Sequence, residues 1–210
     1  MPAEAGKRFT RRMKKSLLLL LLLPLMAAVG FAQESRQDVS ISGSALIPPF
    51  ISGDGAQLHA TTGRGALISY RYLLTPTSGV EVNYQYAQEI YHFTNPTNNN
   101  TIHFRLNELS GAYVRSFIFR NWNPFLEAGI GGFMFRPIDD PKTNIQQISS
   151  QTQIGGIYGA GFAYEISPSF DIRAEYRGLV MKTPSFGVHN FSTNRYFNIF
   201  DPVIGIAYHF

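Results

Sequence analysis

The chain has 210 residues, enough for one domain, and carries 18 Lys and Arg, 14 Asp and Glu and no cysteine. The lack of cysteine excludes disulfides, cysteine-ligated zinc and a lipid-modified cysteine at a processing point. Six of the bases and one acid (Glu4) precede residue 33, leaving 12 bases against 13 acids in the remainder. The basic balance therefore belongs to the N-terminal segment and is no argument for a nucleic-acid partner.

That segment reads as an export signal. Lys7, Arg8, Arg11, Arg12, Lys14 and Lys15 form a positive region, and Leu17 to Val29 a mostly apolar run of 13 residues. Gly30 and Ala32 place small residues at the third and first positions before a cut, so residues 1–32 are expected to be removed and 33–210 to form the working domain. The run is too short for a spanning helix, which needs about 20 apolar residues. Met13-Lys14-Lys15 and the leucines already make a complete signal, so translation can start at Met1 or Met13. Thr10-Arg11-Arg12 resembles a twin-arginine motif only faintly.

Beyond residue 33 the apolar residues recur every second position, the mark of strands with two unlike faces. In chain order, Val39, Ile41, Gly43 and Ala45 alternate with Ser40, Ser42 and Ser44. Ile68, Tyr70 and Tyr72 then alternate with Leu67, Ser69 and Arg71. Val80, Val82, Tyr84 and Tyr86 follow, against Glu81, Asn83 and Gln85. The stretch 102–116 begins Ile102, Phe104, Leu106 and changes phase to Leu109, Gly111, Tyr113, which predicts a β-bulge or a strand reaching beyond the bilayer. Leu126, Ala128, Ile130 and Met134 oppose Glu127, Gly129 and Gly131. Tyr158, Ala160, Phe162 and Tyr164 oppose Gly159, Gly161, Ala163 and Glu165. Phe170, Ile172, Ala174 and Tyr176 oppose Asp171, Arg173, Glu175 and Arg177. Ile204, Ile206, Tyr208 and Phe210 close the chain.

Eight strands follow from this count. Their connections alternate: 47–64, 93–101, 137–152 and 183–195 are long or polar, and 74–79, 117–123 and 167–169 are short. Long and short in turn is the pattern of an outer-membrane barrel with external loops and periplasmic turns. Several stretches extend to about 9–11 residues, the length that crosses a bilayer when tilted. Tyrosines lie near strand ends and Trp122 in a short turn, as rings at a lipid–water boundary do. The fold class predicted is all-β, an eight-stranded antiparallel up-and-down transmembrane β-barrel.

The ending Val203-Ile204-Gly205-Ile206-Ala207-Tyr208-His209-Phe210 resembles the C-terminal signal of outer-membrane barrels. The stretches Gly79-Val80-Glu81-Val82-Asn83-Tyr84 and Ile172-Arg173-Ala174-Glu175-Tyr176-Arg177-Gly178 resemble the OmpA/OmpX-type eight-stranded domain, here without a peptidoglycan-binding domain after it. The resemblance implies the outer membrane of a diderm bacterium, contact with lipid and lipopolysaccharide, and recognition of Ile204, Ile206, Tyr208 and Phe210 by the barrel assembly machinery. It also implies a monomer whose loops are open to a surface ligand.

Eight strands leave an interior just wide enough for side chains. The expected inward charges are Arg71, Glu81, Glu89, Glu127, Glu165, Asp171, Arg173, Glu175 and Arg177, which must pair or meet water. A plugged barrel is the leading expectation and a small passive conduit the alternative. A lipid A-modifying hydrolase is the third reading. Its candidate triad, His189, Ser192 and Asp201, is weak because three-residue spacing does not keep His and Ser on one strand face. His59, His92 and His103 show no metal-ligand spacing, and Asp139, Asp140 and Asn144 read as an exposed polar loop. No catalytic residue, cofactor or metal is expected.

Overall fold

The computed structural model describes residues 36–53, 56–94, 99–141, 143, 149–186 and 195–210. The predicted signal and its cut after Ala32 lie outside these. No helix occurs among the described residues. In chain order the strands are β1 (Gln37–Leu46), β2 (Ile51–Gly53), β3 (Ala56–Ala60), β4 (Gly63–Thr75) and β5 (Ser78–Thr94). β6 (Asn99–Ser116), β7 (Trp122–Pro137), β8 (Gln151–Ser167), β9 (Phe170–Lys182) and β10 (Tyr196–His209) complete them.

Eight of these, β1 and β4 to β10, form one closed antiparallel barrel. Each pairs with its neighbour in sequence, and the ring closes where β1 meets β10, with Val39 opposite Tyr208 and Ser44 opposite Val203. Closure leaves no edge with free N–H and C=O groups, the condition for strands in lipid. The two short strands β2 and β3 form a hairpin that continues the wall at the long-loop end, where β3 pairs with β5 through Ala60 and Tyr91. Thr61 and Thr62 interrupt β3 and β4, and the Thr61 amide still donates to the Ile90 carbonyl at 3.0 Å.

Alternation fixes the two faces. Outward residues include Ile41, Leu109, Ile130 and Ile204, each more than 60% exposed. Such a surface is stable against hydrocarbon, where burying nothing costs nothing. The rings cluster at the turn end: Trp122 lies 5.3 Å from Phe162 and 5.5 Å from Tyr164, and Phe170 lies 5.0 Å from Tyr208. Their amphipathic rings suit the headgroup level.

The stretch 102–116 is one unbroken strand without the expected bulge. β6 pairs with β5 in a single register from Ser78 opposite Arg115 to Thr94 opposite Asn99. Its inward side stays at even positions throughout, and what changes is the surroundings. Ile102, Phe104 and Leu106 point into an apolar interior layer, whereas Leu109 and Tyr113 face outward. The length explains this. A tilted strand of 17 or 18 residues rises on the order of 40 Å, more than the roughly 30 Å of hydrocarbon, so its two halves meet different media. The register shifts lie elsewhere, at Leu73/Thr75 and Glu165/Ser167 beside short turns. The connections are also tighter than expected. β5 and β6 run to Thr94 and from Asn99, and 47–64 contains β2 and β3.

β8 turns Gly155, Gly159 and Gly161 to the crowded interior. A Cβ on Gly161 would sit 2.5 Å from the Phe125 ring and 2.6 Å from the Glu175 Cβ, whereas one on Gly132 meets nothing within 4 Å. Gly161→Ala is expected to cost about 1–3 kcal/mol through overpacking, and Gly132→Ala to leave stability unchanged, as read by urea titration of the micelle-folded protein.

Candidate functional site

The interior holds two layers. The layer nearer the short turns and mid-barrel is charged, and its centre is Arg177 on β9, which is completely buried. Its guanidinium reaches Glu108 on β6 at 2.5 Å, Asp201 on β10 at 3.2 Å, and Glu127 on β7 and Glu175 on β9 at 3.4 Å each. Gln85 on β5 donates to Asp201 and to Ser44 on β1, both at 2.8 Å. A rigid five-donor fork is the side chain suited to so many acceptors.

A second cluster lies nearer the turns. Arg71 pairs with Glu81 at 2.7 Å across β4 and β5. Arg173 reaches Asp38 at 2.9 Å and Glu81 at 3.6 Å, tying β9 to β1 and β5. Phe125 on β7 lies beneath both guanidiniums, 4.7 Å from Arg71 and 5.8 Å from Arg173, and its ring face adds a cation–π contact. At the rim Asp171 meets His209 at 2.8 Å. β8 supplies room rather than charge, since a Cβ on Gly159 would sit 2.8 Å from a Glu127 oxygen.

Of the nine expected inward charges, seven, Arg71, Glu81, Glu127, Asp171, Arg173, Glu175 and Arg177, are thus brought into the lumen and into charge contact. Glu89 is also buried, but neither of its carboxylate oxygens accepts a hydrogen bond. Glu165 is a correction. It has the inward parity, yet it is exposed, because it stands at the end of β8 beside the register shift at Glu165/Ser167. Asp38, Glu108 and Asp201 are network members that the sequence reading did not place there. Glu108 continues the even phase of Ile102, Phe104 and Leu106, and Asp201 the odd phase of Val203 and Gly205. Extending those phases would have found them.

The second layer, at the long-loop end, is apolar. Tyr91, Phe93, Phe104, Phe133 and Phe135 are fully buried with Leu46, Leu179 and Met181. Phe186, from the β9–β10 connection, inserts among them, its ring 5.6 Å from Phe104, 6.3 Å from Phe135 and 6.4 Å from Phe93. It does so at φ 52°, a left-handed conformation that costs a non-glycine residue about 1–2 kcal/mol. The Gln151 side-chain oxygen accepts from the Ser185 and Phe186 amides at 2.8 and 3.0 Å and holds the turn. Burial of the ring, worth about 1.5–3 kcal/mol, offsets the strain.

Of the hydrolase triad, His189 and Ser192 lie outside the described residues. Asp201 is committed to Arg177 and Gln85 inside the barrel. Asn144 also lies outside them, while Asp140 meets His103 at 2.6 Å and His92 meets Thr101 at 3.2 Å. Among the described residues no three His, Asp or Glu side chains converge as metal ligands. Ile204, Ile206, Tyr208 and Phe210 all face outward, the first two more than half exposed.

A closed eight-stranded barrel with an apolar outer band, aromatic rims and a packed charged lumen is a transmembrane barrel of the Gram-negative outer membrane. Residues 16–210 match the family described as the outer membrane protein beta-barrel domain, and the chain belongs to it. Among solved structures it is similar to the outer membrane protein OprG from Pseudomonas aeruginosa, with a TM-score of 0.62 and 12% identity over 85% of this chain and 97% of that one. Neisserial surface protein A (NspA) is similar with a TM-score of 0.55 and 17% identity, over 82% and 97% of the two chains. These likenesses show the fold alone. No curated protein sequence matches the chain significantly.

Among the described residues eight buried carboxylates face three buried guanidiniums, so the arginines are the scarce partner. Arg177→Ala strands four acids and is expected to cost about 3–5 kcal/mol. Glu127→Gln leaves Arg177 three other acceptors and is expected to change stability by no more than about 1 kcal/mol. Equilibrium unfolding of both variants in micelles measures the difference.

Proposed function

We propose that this chain is a structural or surface-interaction protein, a closed scaffold that holds four connections above the outer membrane. In this reading residues 1–32 direct export and are cut off after Ala32, and residues 33–210 form the mature domain. The C-terminal strand, through Ile204, Ile206, Tyr208 and Phe210, hands the chain to the assembly machinery. The mature barrel stands as a monomer in lipid and lipopolysaccharide. Residues 47–62, 95–98, 138–150 and 183–195 connect its strands on the external side. The role is non-catalytic, and recognition of a partner lives in those connections, as it commonly does on rigid scaffolds.

The observation that carries this reading is the doubly filled lumen. Ion pairs centred on Arg177 fill its middle, and the ring of Phe186 completes an aromatic layer at the loop end. A passive conduit needs a continuous wet path, and these two layers stand across it. Planar-bilayer recording tests the point. Neither the unmutated protein nor Arg173→Ala is expected to conduct, while Arg173→Ala lowers the temperature at which the folded gel band shifts. Large, stable channels from the unmutated protein would sink the plugged-scaffold reading.

A further inference from the structure

Two histidines far apart along the chain are brought together by register at the long-loop end. His59 on β3 is the register partner of His92 on β5, and His92 the partner of Thr101 on β6. Their neighbours Leu58, Tyr91 and Phe93 are buried inward. Alternation therefore turns both imidazoles to the outer side, His59 exposed and His92 half-buried. Directly opposite residues on antiparallel strands have Cβ atoms about 4.5–5.5 Å apart. Two nitrogens bound to one tetrahedral ion, each at about 2.0–2.1 Å, stand about 3.3 Å from each other. Staggered rotamers of a directly opposite pair bring two imidazoles onto a single ion.

The surroundings suit that use. The His92 Nδ1 lies 3.2 Å from the Thr101 hydroxyl. A neutral ring that donates from Nδ1 keeps its lone pair on Nε2, and such an outer contact is what orients a metal-binding histidine. The His59 ring stands against Phe50, with centroids 6.5 Å apart. The adjoining outward rows set Gln57 opposite Thr94 and Ile90 opposite His103, and bring no Lys or Arg beside the imidazoles. His103 is buried and turned to Asp140 at 2.6 Å, which leaves a pair of histidines and not a trio. Exposed cations begin four residues down β5, where Gln88 stands between Arg64 on β4 and Arg105 on β6, with Arg136 next on β7. At roughly 13 Å along the strand they lie beyond the screening length of about 8–10 Å.

We propose that His59 and His92 are a metal site, in which one ring nitrogen of His59 and Nε2 of His92 chelate a divalent transition-metal ion, with water on its remaining positions. Imidazole ligands without a carboxylate select zinc, copper or nickel over calcium and magnesium, which take oxygen ligands. The ion also has a structural consequence. β3 is held to β5 by four register pairs, Gln57 to Ala60, and β2 pairs with β3 alone. An ion across His59 and His92 therefore staples the β2–β3 hairpin to the barrel wall. The site stands on cross-strand register and is independent of which way the loops face.

Isothermal titration calorimetry of the untagged, micelle-folded barrel with zinc and with copper tests it. One saturable site per chain is expected, tighter for copper than for zinc. His59→Gln and His92→Gln are each expected to abolish saturable zinc binding, and Thr101→Val to weaken it about tenfold. His103→Gln and His209→Gln serve as controls and leave it unchanged. Undiminished binding by His59→Gln or His92→Gln, loss of binding in His103→Gln, or displacement of zinc by equimolar magnesium would overturn the site. The electron paramagnetic resonance spectrum of the copper-loaded unmutated chain gives a readout free of mutation. Coupling to two imidazole nitrogens is expected, and coupling to one overturns the chelate. Hydrogen exchange reads the staple. Zinc is expected to slow exchange of the Leu58, His59 and Ala60 amides in the unmutated protein and not in His92→Gln, and equal exchange with and without zinc overturns that part.

Discussion

The constraint on which everything else depends is that hydrocarbon offers no partner to a peptide N–H or C=O. A chain without a spanning helix among its described residues meets that constraint in one way, by pairing every barrel strand on both sides. Once the ladder closes, the two-residue period divides each strand between lipid and lumen, so sequence choice at alternate positions becomes a choice of solvent. The outward set can be apolar all round. The inward set cannot be anything large, because eight strands enclose only a side-chain's width.

The lumen is filled by two different solutions to that crowding. In the middle, charged side chains are set against one another and arginine does most of the joining, although the side chains of Asn83, Glu89 and Glu127 make no hydrogen bond. Arg177 alone bridges β9 to β6, β7 and β10. Arg173 and Arg71 join β9, β1, β5 and β4. β8 is the one wall strand that adds no charge to these contacts, and it is the one whose glycines leave space for Glu127 and Phe125. Toward the loops the strands outrun the bilayer and the lumen would flood. There an aromatic layer excludes water by area burial instead, and Phe186 adopts a strained backbone to complete it. Buried ion pairs stabilise little by themselves once desolvation is counted, but losing one partner is expensive. The charged layer thus acts chiefly to penalise alternatives, while the aromatic layer contributes net stability.

How much of this was legible follows from the same physics. The strand count, the short turns and the outward faces at Ile68, Val82, Ile172 and Ile206 were readable because one medium, lipid, acts on them all. β6 was left open between a bulge and a strand reaching beyond the bilayer because two media act on it, and the second is what it is. Its apolar residues switch from lumen to lipid halfway along an unbroken strand, so an apolar-equals-outward rule sees a bulge that is absent. The same error hid Glu108, which lies at the switch. Asp201 was hidden by its setting beside Pro202, near a predicted loop end, although its parity is inward. Glu165 failed in the opposite way. Parity predicted burial, but Glu165 stands exposed at the strand end beside a register shift, although its register partner Asp171 is buried. The joining of Arg64, Arg105 and Arg136 into one row was not readable at all, because it depends on cross-strand register, which no single strand encodes.

Register is also where the charges inside and outside become one device. A slip of one residue between strands exchanges every inward side chain with an outward one. In β4 to β7 such a slip would push Arg64, Arg105 and Arg136 toward the lumen beside the aromatic layer. It would also expel Glu81, Glu108 and Glu127 into hydrocarbon. A charge on the lipid face costs up to about 2–4 kcal/mol at mid-bilayer, so several displaced together exceed a sizeable share of a barrel's stability. A slip of two residues keeps the faces but separates Arg71 from Glu81 and Arg177 from Glu108, leaving buried charges unpaired. The parity of the charges excludes odd slips, and their pairing across the lumen excludes even ones. The two tightest turns, Pro76-Thr77 and Pro168-Ser169, share a proline followed by a small hydroxyl residue, so turn chemistry starts each hairpin and the charges then hold its register along the wall.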